Sequence, residues 1–323
     1  MKFKYASWLL IVLAFAKAYT SQAQLTTSQP LVAIDSVEQM QWVDSVYQSL
    51  SQEEKIGQLF MVDLFSNKGK AHADQVRKLV EKYKIGGIIF SKGGPVQQAY
   101  LTNELQAKSK TPLLIAMDAE WGLAMRLDST YAFPWNMTLG ATPGTRSSYE
   151  VGKRIGEHCK RLGVHINFAP DVDINTNPQN PIIGNRSFGE DMNNVTNKAG
   201  AFMKGMQSTG TLACAKHFPG HGDTDQDSHK TLPTVDFSAA RIDSVELTPY
   251  RKLIGKGMAS VMVAHLNIPS LESRSGYPTS LSEKVVTDLL KTKLGFNGLI
   301  FTDALNMKGA SNFSAPGEID LQA

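Results

Sequence analysis

The chain has 323 residues, of which 42% are hydrophobic, and it carries a formal net charge of +3. This length and composition are sufficient for one barrel-sized domain or for two smaller domains. The three lysines of the first 23 residues account for the whole positive excess, so the rest of the chain has no net charge and gives no reason to expect a nucleic acid or an anionic membrane as partner.

Residues 1–23 have the features of a secretory signal peptide. Lys2 and Lys4 precede an apolar core over residues 8–16, and Ser21-Gln22-Ala23 places small residues at the expected cleavage site. We therefore expect an exported protein, periplasmic or extracellular, with no membrane span after cleavage; an uncleaved anchor is the alternative. The absence of a cysteine near the cleavage site argues against a lipid anchor.

Short apolar runs alternate with helical stretches along the rest of the chain. Residues 24–49 are interpreted as a leader and an N-terminal helix, and Ser51-Gln52-Glu53-Glu54 has the spacing of a capping box that begins a helix. The predicted strands are 59–62, 87–90, 113–117, 166–169, 212–216, 260–264 and 299–302. The predicted helices between them are 71–84, 96–108, 148–162, 193–207, 239–256 and 283–294.

Seven buried strands separated by helices predict an α/β fold with a parallel sheet, and this number of repeats favours a (β/α)8 barrel of the TIM type. A doubly wound open sheet is the alternative, although no glycine-rich phosphate turn follows an early strand. Only 20 residues follow Asp303, which leaves no room for an eighth strand and its helix. We therefore expect residues 50–323 to form a barrel domain that is incomplete at its C terminus, with a C-terminal domain possible in the full-length protein.

The two cysteines, Cys159 and Cys214, lie in helical or apolar contexts. We predict two buried free thiols. A disulfide is permitted in an exported protein, but two cysteines do not make a disulfide framework.

The greatest concentration of ionisable side chains lies in the segment 216–229, directly after the apolar run 212–215. An apolar run that stops at Gly- and Pro-rich residues predicts a buried strand ending in a loop. So many ionisable groups would destabilise the loop unless they were paired, which favours a working site over a solvated loop. In TIM-type barrels the chemistry lies at the C-terminal ends of the strands, and this register is shared by Asp118, Lys216, His217, His265 and Asp303.

Asp227 and His229 are separated by one residue. In an extended loop, residues two apart point the same way, so Asp227 can accept a hydrogen bond from one nitrogen of His229. That bond would fix the tautomer and leave the other nitrogen to exchange protons near neutral pH. The spacing alone is common, and a surface pair is the plainer interpretation.

Several motifs together resemble the bacterial β-N-acetylglucosaminidase subgroup of glycoside hydrolase family 3. Residues 216–229 resemble the subgroup's signature, and Asp118-Ala119-Glu120-Trp121-Gly122 with Arg126 resembles its sugar-binding stretch. Further matches are Asn185-Arg186-Ser187-Phe188-Gly189, the strand exit Val263-Ala264-His265, and the nucleophile strand Phe301-Thr302-Asp303-Ala304-Leu305-Asn306-Met307. The motifs occur in consistent order over roughly residues 50–310, which chance matching would not produce.

The resemblance implies a retaining exo-β-N-acetylglucosaminidase that acts on peptidoglycan (muropeptide) fragments through a covalent glycosyl-enzyme. Asp303 would be the nucleophile, and His229, polarised by Asp227, would be the general acid and then the general base. Sugar hydroxyls would be bound by Asp118, Arg126, Arg186, Lys216, His217 and His265. The resemblance implies no metal and no other cofactor.

The sequence allows two interpretations for each of three further residues. Trp121 stands where the family often has Gly, and it fits either stacking on a sugar or packing on a neighbouring loop. Asp171 and Asp173 follow Pro170 and fit either sugar binding or ordinary turn chemistry.

Three other functions remain as alternatives. A metal-dependent hydrolase would draw its ligands from His217, His221, Asp223, Asp227 and His229, although Pro219-Gly220 prevents a helical His-x-x-x-His geometry. A non-catalytic glycan-binding module would have no need of both a nucleophile and an acid/base pair. A β-glucosidase of the same family is the third, although such relatives usually lack the Asp-x-His loop.

Overall fold

The computed structural model describes Leu31 and residues 36–323 of the chain. The predicted signal peptide, residues 1–23, lies outside the described residues. Within the described part, no helix has the length and apolar character needed to cross a membrane.

Seven strands form one parallel sheet in which each strand pairs with its neighbours in sequence. They are β1 Met61–Phe65, β2 Gly87–Lys92, β3 Leu114–Met117, β4 Ile166–Asn167, β5 Leu212–Phe218, β6 Ser260–Val263 and β7 Leu299–Thr302. The sheet is curled into a partial barrel, as the sequence predicts for a (β/α)8 fold with seven recognisable strands, and no eighth strand occurs among the described residues.

Helices connect successive strands. The α-helices are Ser36–Ser49, Gln52–Gly57, Gly69–Lys78, Pro95–Lys108, Asn136–Ala141, Arg146–Arg161, Met192–Gln207, Ala239–Ser244, Leu247–Ile254, Lys308–Ser311 and Glu318–Gln322. Two π-helical stretches, Leu79–Tyr83 and Lys284–Lys293, complete the layer. Each connection returns the chain to the same end of the sheet, so all seven strands point the same way.

Alternate residues of each strand contribute to two separate cores. In β3, Ile115 and Met117 belong to the large core that also includes helix residues, whereas Ala116 belongs to a smaller one. The smaller core is built from residues on or beside the strands and fills the interior of the curl: Ala116, Ile166, Phe168, Cys214 and Met262.

The two edge strands are less buried than the central ones. Every residue of β6 is buried, whereas Leu299 of β7 is 36% exposed and none of the other β7 residues is fully buried. β1 has one buried residue, Leu64. The interior of the curl is therefore least covered between β1 and β7.

The first predicted strand, 59–62, was placed too early. Leu59 and Phe60 form the turn after the helix Gln52–Gly57, with the Phe60 amide donating to the Gly57 carbonyl at 3.1 Å. The strand begins at Met61, and Asp63 lies in its middle, where it accepts a hydrogen bond from the Ser91 hydroxyl, rather than at its end.

Two other predicted boundaries also differ. The fifth strand continues two residues beyond the predicted end, to Phe218, so His217 also belongs to β5. The predicted helix 239–256 is two helices, Ala239–Ser244 and Leu247–Ile254. Pro249 explains the break, because it lacks the amide hydrogen that a continuous helix would donate to the carbonyl of Val245.

Two local predictions are confirmed. The capping box at Ser51 is present: its side chain accepts from the Glu54 amide, and the Glu54 carboxylate accepts from the Ser51 amide at 2.9 Å. Cys159 and Cys214 are buried free thiols, and burial raises the pKa of each to about 12.

Candidate active site

The C-terminal edge of the sheet gathers the predicted site residues. Asp118 and Asp303 directly follow β3 and β7, and His265 lies two residues beyond β6. Lys216 and His217 lie near the C-terminal end of β5. A parallel barrel therefore brings four distant parts of the sequence to one edge, as expected.

Five side chains at this edge form what we call the ion-pair cluster: Asp118, Glu120, Arg126, Arg186 and Lys216. Lys216 Nζ lies 2.7 Å from Asp118 Oδ1 and 2.8 Å from Glu120 Oε1. Arg126 Nη2 donates to Asp118 Oδ2 at 2.8 Å, and Arg186 Nη2 donates to Glu120 Oε1 at 2.8 Å. Each carboxylate thus bridges two cations.

The ion pairs decide the protonation of the two carboxylates. Burial opposes the ionisation of Asp118, but Lys216 and then Arg126 outweigh it, and the pKa of Asp118 lies below its usual value. Burial likewise opposes the ionisation of Glu120, yet Arg186 and Lys216 hold its pKa far below its usual value. Both carboxylates are therefore charged acceptors whose lone pairs are aimed by fixed cations.

Glu120 is a member of the ion-pair cluster that the sequence did not single out. It is 1% exposed and holds both Lys216 and Arg186 in place. It was visible only as part of the Asp118–Gly122 motif, because its partners lie 66 and 96 residues further along the chain.

His217 is held on both sides of its ring. Arg186 Nη2, which can only donate, lies 3.1 Å from His217 Nε2, so that nitrogen accepts. The proton therefore resides on Nδ1 and is donated to Asp173 Oδ2 at 2.7 Å. Asp173 also accepts the His221 amide at 2.7 Å, so its buried carboxylate orients the strand end and the following loop together.

Asp171 leaves one oxygen of its buried carboxyl group without a hydrogen-bond partner. Its Oδ1 accepts from the Asp173 amide at 2.9 Å, whereas the fully buried Oδ2 has no hydrogen-bond partner. Burial first, and the neighbouring Asp173 second, raise the pKa of Asp171 well above its usual value despite Arg186. Asp171 is therefore a buried supporting group whose surroundings favour its uncharged form.

Among the described residues, one group of side chains has the composition of a metal site: Asp171, Asp173 and His217 each offer a ligand atom within 4.8 Å of the others. Arg186 Nη2 lies 3.9 Å from Asp171 Oδ2 and 3.1 Å from His217 Nε2. The guanidinium thus supplies positive charge where a metal would have to sit. Of the ligands considered from sequence for a metal hydrolase, this group contains only His217.

The Asp227–His229 pair forms as the sequence predicts, although not in an extended loop. His229 Nδ1 lies 2.9 Å from Asp227 Oδ1, which also accepts the His229 amide at 2.9 Å. The hydrogen bond from the His229 amide to the Asp227 side chain defines an Asx-turn. A tight turn, rather than strand-like alternation, therefore brings the two side chains together. The His229 side chain is 62% exposed and that of Asp227 18%, which leaves Nε2 open to a substrate.

His221 stabilises the loop of Asp227 and His229 through hydrogen bonds. Its Nδ1 lies 2.6 Å from Thr224 Oγ1, its Nε2 lies 3.2 Å from Ser228 Oγ, and Asn180 Nδ2 donates to its carbonyl at 2.9 Å. Burial lowers the pKa of His221 to about 4. The ring is neutral at physiological pH and joins two hydroxyls on either side of the turn that carries Asp227.

Asp303 and His265 occupy the neighbouring strand ends. The Asp303 amide donates to the Val263 carbonyl at 2.9 Å, and Asp303 Oδ1 accepts from the Ala304 amide at 2.8 Å. His265 is fully buried; its Nε2 lies 3.1 Å from the Ala304 carbonyl and its Nδ1 lies 2.7 Å from Ser280 Oγ. Burial lowers the pKa of His265. Its ring thus fixes the backbone next to Asp303.

Gly309 joins the loop of His229 to the segment after Asp303. Its amide donates to the Ser228 carbonyl at 3.1 Å. A Cβ at this position would lie 3.0 Å from that same oxygen and 3.1 Å from His265 Cβ. Only a glycine lets the two segments approach this closely.

The structure therefore brings the predicted residues into three connected groups. Asp118, Arg126, Arg186, Lys216 and His217 share one hydrogen-bonded network; Asp227 and His229 form the second group; Asp303 and His265 form the third. The second and third groups are linked through Ser228 and Gly309. The individual roles assigned from sequence remain predictions at this point.

A TIM-type barrel with a polar, charge-paired site at its strand ends is the class of molecule that these observations define. The chain belongs to glycosyl hydrolase family 3: residues 51–323 match the Glycosyl hydrolase family 3 N terminal domain. The resemblance seen in the motifs is thereby confirmed.

Three similar proteins illustrate the relationship. "Beta-hexosaminidase A" of Pseudoalteromonas piscicida is 37% identical over 271 residues, covering 77% of this chain and 45% of that protein. "Beta-N-acetylglucosaminidase/beta-glucosidase" of Cellulomonas fimi is 29% identical, covering 84% and 49%. The structure of a family 3 β-N-acetylglucosaminidase from Paenibacillus sp. str. FPU-7 superposes with a TM-score of 0.79 at 39% identity, covering 85% and 53%. The chain thus spans about half the length of these relatives.

Proposed function

We propose that this chain is the catalytic barrel of a retaining exo-β-N-acetylglucosaminidase, which hydrolyses terminal β-linked N-acetylglucosamine. Asp303 attacks the anomeric carbon to form a glycosyl-enzyme, while His229 protonates the leaving oxygen and then activates water. The observation that carries the proposal is the Asp227–His229 pair, hydrogen-bonded at 2.9 Å and tied through Ser228 and Gly309 to the segment after Asp303.

The histidine suits the acid/base role for a physical reason. A second carboxylate beside Asp303 would repel it, whereas an imidazole adds no negative charge. Asp227 accepts a hydrogen bond from Nδ1–H, which leaves the exposed Nε2 to exchange a proton with the substrate.

The ion-pair cluster suits the recognition of sugar hydroxyls. Asp118, Arg126 and Arg186 keep side-chain surface open to solvent, whereas Glu120 is fully buried behind them. Charged donors and acceptors held in fixed positions bind hydroxyl groups with little loss of side-chain entropy.

The identity of the sugar rests on similarity. The Pseudoalteromonas relative is named a β-hexosaminidase, and the Paenibacillus structure is a β-N-acetylglucosaminidase, which supports N-acetylglucosamine. The name of the Cellulomonas relative includes β-glucosidase activity, which keeps glucose as the second candidate. We further propose that the enzyme is exported, on the basis of residues 1–23, and that its natural substrates are peptidoglycan fragments.

The test is hydrolysis of a chromogenic β-N-acetylglucosaminide beside the matching β-glucoside, with a chelator present, by the full-length protein. We expect selective cleavage of the N-acetyl substrate, unaffected by the chelator. Preferential cleavage of the glucoside would assign the second candidate, and cleavage of neither would contradict the proposed activity.

A further inference from the structure

His221 connects two groups of the site: the network around His217 and Arg186, and the segment 227–229, which we call the acid/base turn. The His221 amide donates to Asp173 Oδ1 at 2.7 Å, and the other oxygen of the same carboxylate lies 2.7 Å from His217 Nδ1. Because Asp173 is buried and bonded to both residues, it fixes them relative to each other. The position of His221 therefore depends on a residue of the network predicted to bind sugar.

A second set of hydrogen bonds joins the backbone of His221 to Arg186. Asn180 Nδ2 donates to the His221 carbonyl at 2.9 Å, and Asn180 Oδ1 accepts from the Ile182 amide at 2.9 Å. The Ile182 carbonyl in turn accepts from Arg186 Nη1 at 3.2 Å. His221 is thus held from two sides, and each side leads to a different member of the same network.

The ring of His221 holds the acid/base turn. Its Nε2 lies 3.2 Å from the hydroxyl of Ser228, the middle residue of the turn, and its Nδ1 lies 2.6 Å from Thr224 Oγ1. Whichever nitrogen carries the proton, each hydroxyl can donate to the ring or accept from it. Apart from contacts with residues 230 and 231, two hydrogen bonds join the acid/base turn to the rest of the described chain. Both involve Ser228: its hydroxyl meets His221, and its carbonyl accepts from the Gly309 amide.

His221 has no direct access to a substrate. It is 1% exposed, whereas the side chain of His229 is 62% exposed. An effect of His221 on turnover must therefore pass through the residues to which it is bonded.

We propose that His221 is a positioning residue that couples the sugar-binding network to the acid/base turn. A sugar bound by Arg186 and His217 restricts the groups that hold the backbone of His221. The ring of His221 extends this restriction to Ser228 and so places the general acid against the bond to be cleaved. This inference rests on the proposed function and adds to it a residue that does not touch the substrate.

The experiment measures kcat/KM of the full-length protein on two N-acetylglucosaminides. The dinitrophenyl glycoside has a leaving group that departs without protonation, whereas the methyl glycoside needs the general acid. Ser228→Ala removes the hydroxyl that meets the His221 ring but keeps the carbonyl that accepts from Gly309. Ser260→Ala is the matched control, because Ser260 is an equally buried serine on β6 whose hydroxyl donates to the Ala213 carbonyl at 2.9 Å.

For Ser228→Ala we expect kcat/KM to fall about 10- to 100-fold on the methyl glycoside and less than about threefold on the dinitrophenyl glycoside. His221→Leu should give the same pattern, and His221→Gln, which can still bond a hydroxyl, should recover most of the loss. Ser260→Ala should leave the ratio of the two kcat/KM values at the wild-type level.

A double variant tests whether the two residues act through one contact. Ser228→Ala combined with His221→Leu should lose no more than the larger single loss, because both changes remove the same hydrogen bond. Losses that add in the double variant would overturn the proposal. Equal losses of Ser228→Ala on both glycosides, or no loss on either, would overturn it as well.

Amide hydrogen exchange separates this inference from the proposed activity, since it needs neither a substrate nor turnover. His217→Gln alters the hold on Asp173 and should raise the exchange of residues 224–231 several-fold. In the His221→Leu background the same change should add nothing, because the link is already broken. If wild-type protein cleaves neither glycoside, the proposed activity fails, while this measurement still decides on the coupling. No increase from His217→Gln, or an equal increase in both backgrounds, would refute it.

Discussion

Asp303 is the residue on which the proposed chemistry depends most directly. We expect Asp303→Asn to reduce kcat by roughly a thousandfold or more, because an amide cannot form the glycosyl-enzyme. The fold should be intact, since the interactions of Asp303 are a backbone hydrogen bond to Val263 and a local bond from Ala304. The measurement is kcat on the chromogenic N-acetylglucosaminide together with the thermal midpoint.

The matched control for that variant is Asp288→Asn, an exposed aspartate on the π-helix Lys284–Lys293. It removes the same charge from the barrel exterior and should retain full activity. An Asp303→Asn enzyme with substantial turnover would contradict the assignment of the nucleophile.

The lowered pKa of His221 predicts that the free energy of unfolding depends on pH. Because burial lowers its pKa to about 4, the folded protein keeps this ring neutral while the unfolded chain protonates it below about 6.5. The unfolded state then binds more protons, so the contribution of His221 is present above about pH 6.5 and is lost as the pH falls towards 4. The loss amounts to about 3 kcal/mol in the free energy of unfolding.

The measurement is the urea midpoint of wild type and His221→Gln from pH 7 to pH 4. Glutamine keeps hydrogen bonding to Thr224 and Ser228 possible but does not titrate. We expect the wild-type midpoint to fall more steeply with acid than that of the variant; parallel curves would refute the assignment.

At the scale of elements, the contact between the His229 loop and the helix Lys308–Ser311 sets the position of His229, the proposed acid/base, relative to Asp303, the proposed nucleophile. Gly309→Ala should displace the loop, because the new Cβ would lie 3.0 Å from the Ser228 carbonyl and 3.1 Å from Thr231 O. We expect kcat to fall roughly 10- to 100-fold. Substrates with poor leaving groups should be affected most, because they depend most on the general acid.

Gly255→Ala is the matched control for the Gly309 variant. Its Cβ would meet no atom closer than 3.7 Å, so activity should be unchanged. A Gly309→Ala enzyme whose losses were equal for good and poor leaving groups would argue against a displaced acid.

Among the elements of the fold, the sequence could predict features that depend on local patterns but not those that depend on distant contacts. Strand exits at Asp118, His265 and Asp303 followed from apolar runs that stop at a polar residue, a local pattern. The bridge from Glu120 to Arg186 did not, since it joins residues 66 apart and depends on how the loops of two strands meet. The break between Ser244 and Leu247 was not predicted, although the local rule that proline limits a helix applies to Pro249 just beyond it.

At the scale of the whole molecule, the two cysteines report on separate layers. Cys159 lies on the outer helix Arg146–Arg161, and Cys214 lies in the core inside the curl. Both are completely buried, and the pKa of each is raised to about 12, so neither should react with a disulfide reagent in the native protein. Both should react on unfolding.

The measurement is the number of titrated thiols against urea concentration. Simultaneous exposure of both thiols would indicate that helices and strands unfold as one unit. Early exposure of one thiol alone would show that one layer opens before the other.

The close pairing of charges in the ion-pair cluster has a consequence for the response of the enzyme to ionic strength. Lys216 lies 2.7 Å from Asp118 and 2.8 Å from Glu120, while Arg126 and Arg186 each lie 2.8 Å from one of these carboxylates. Charges paired at this distance and largely buried are screened by salt much less than exposed single charges, and a neutral sugar is not attracted over long range by net charge. KM for the neutral chromogenic N-acetylglucosaminide should therefore change less than about twofold between roughly 0.05 and 0.5 M sodium chloride. The enzyme would then recognise its sugar equally well in dilute and in saline surroundings.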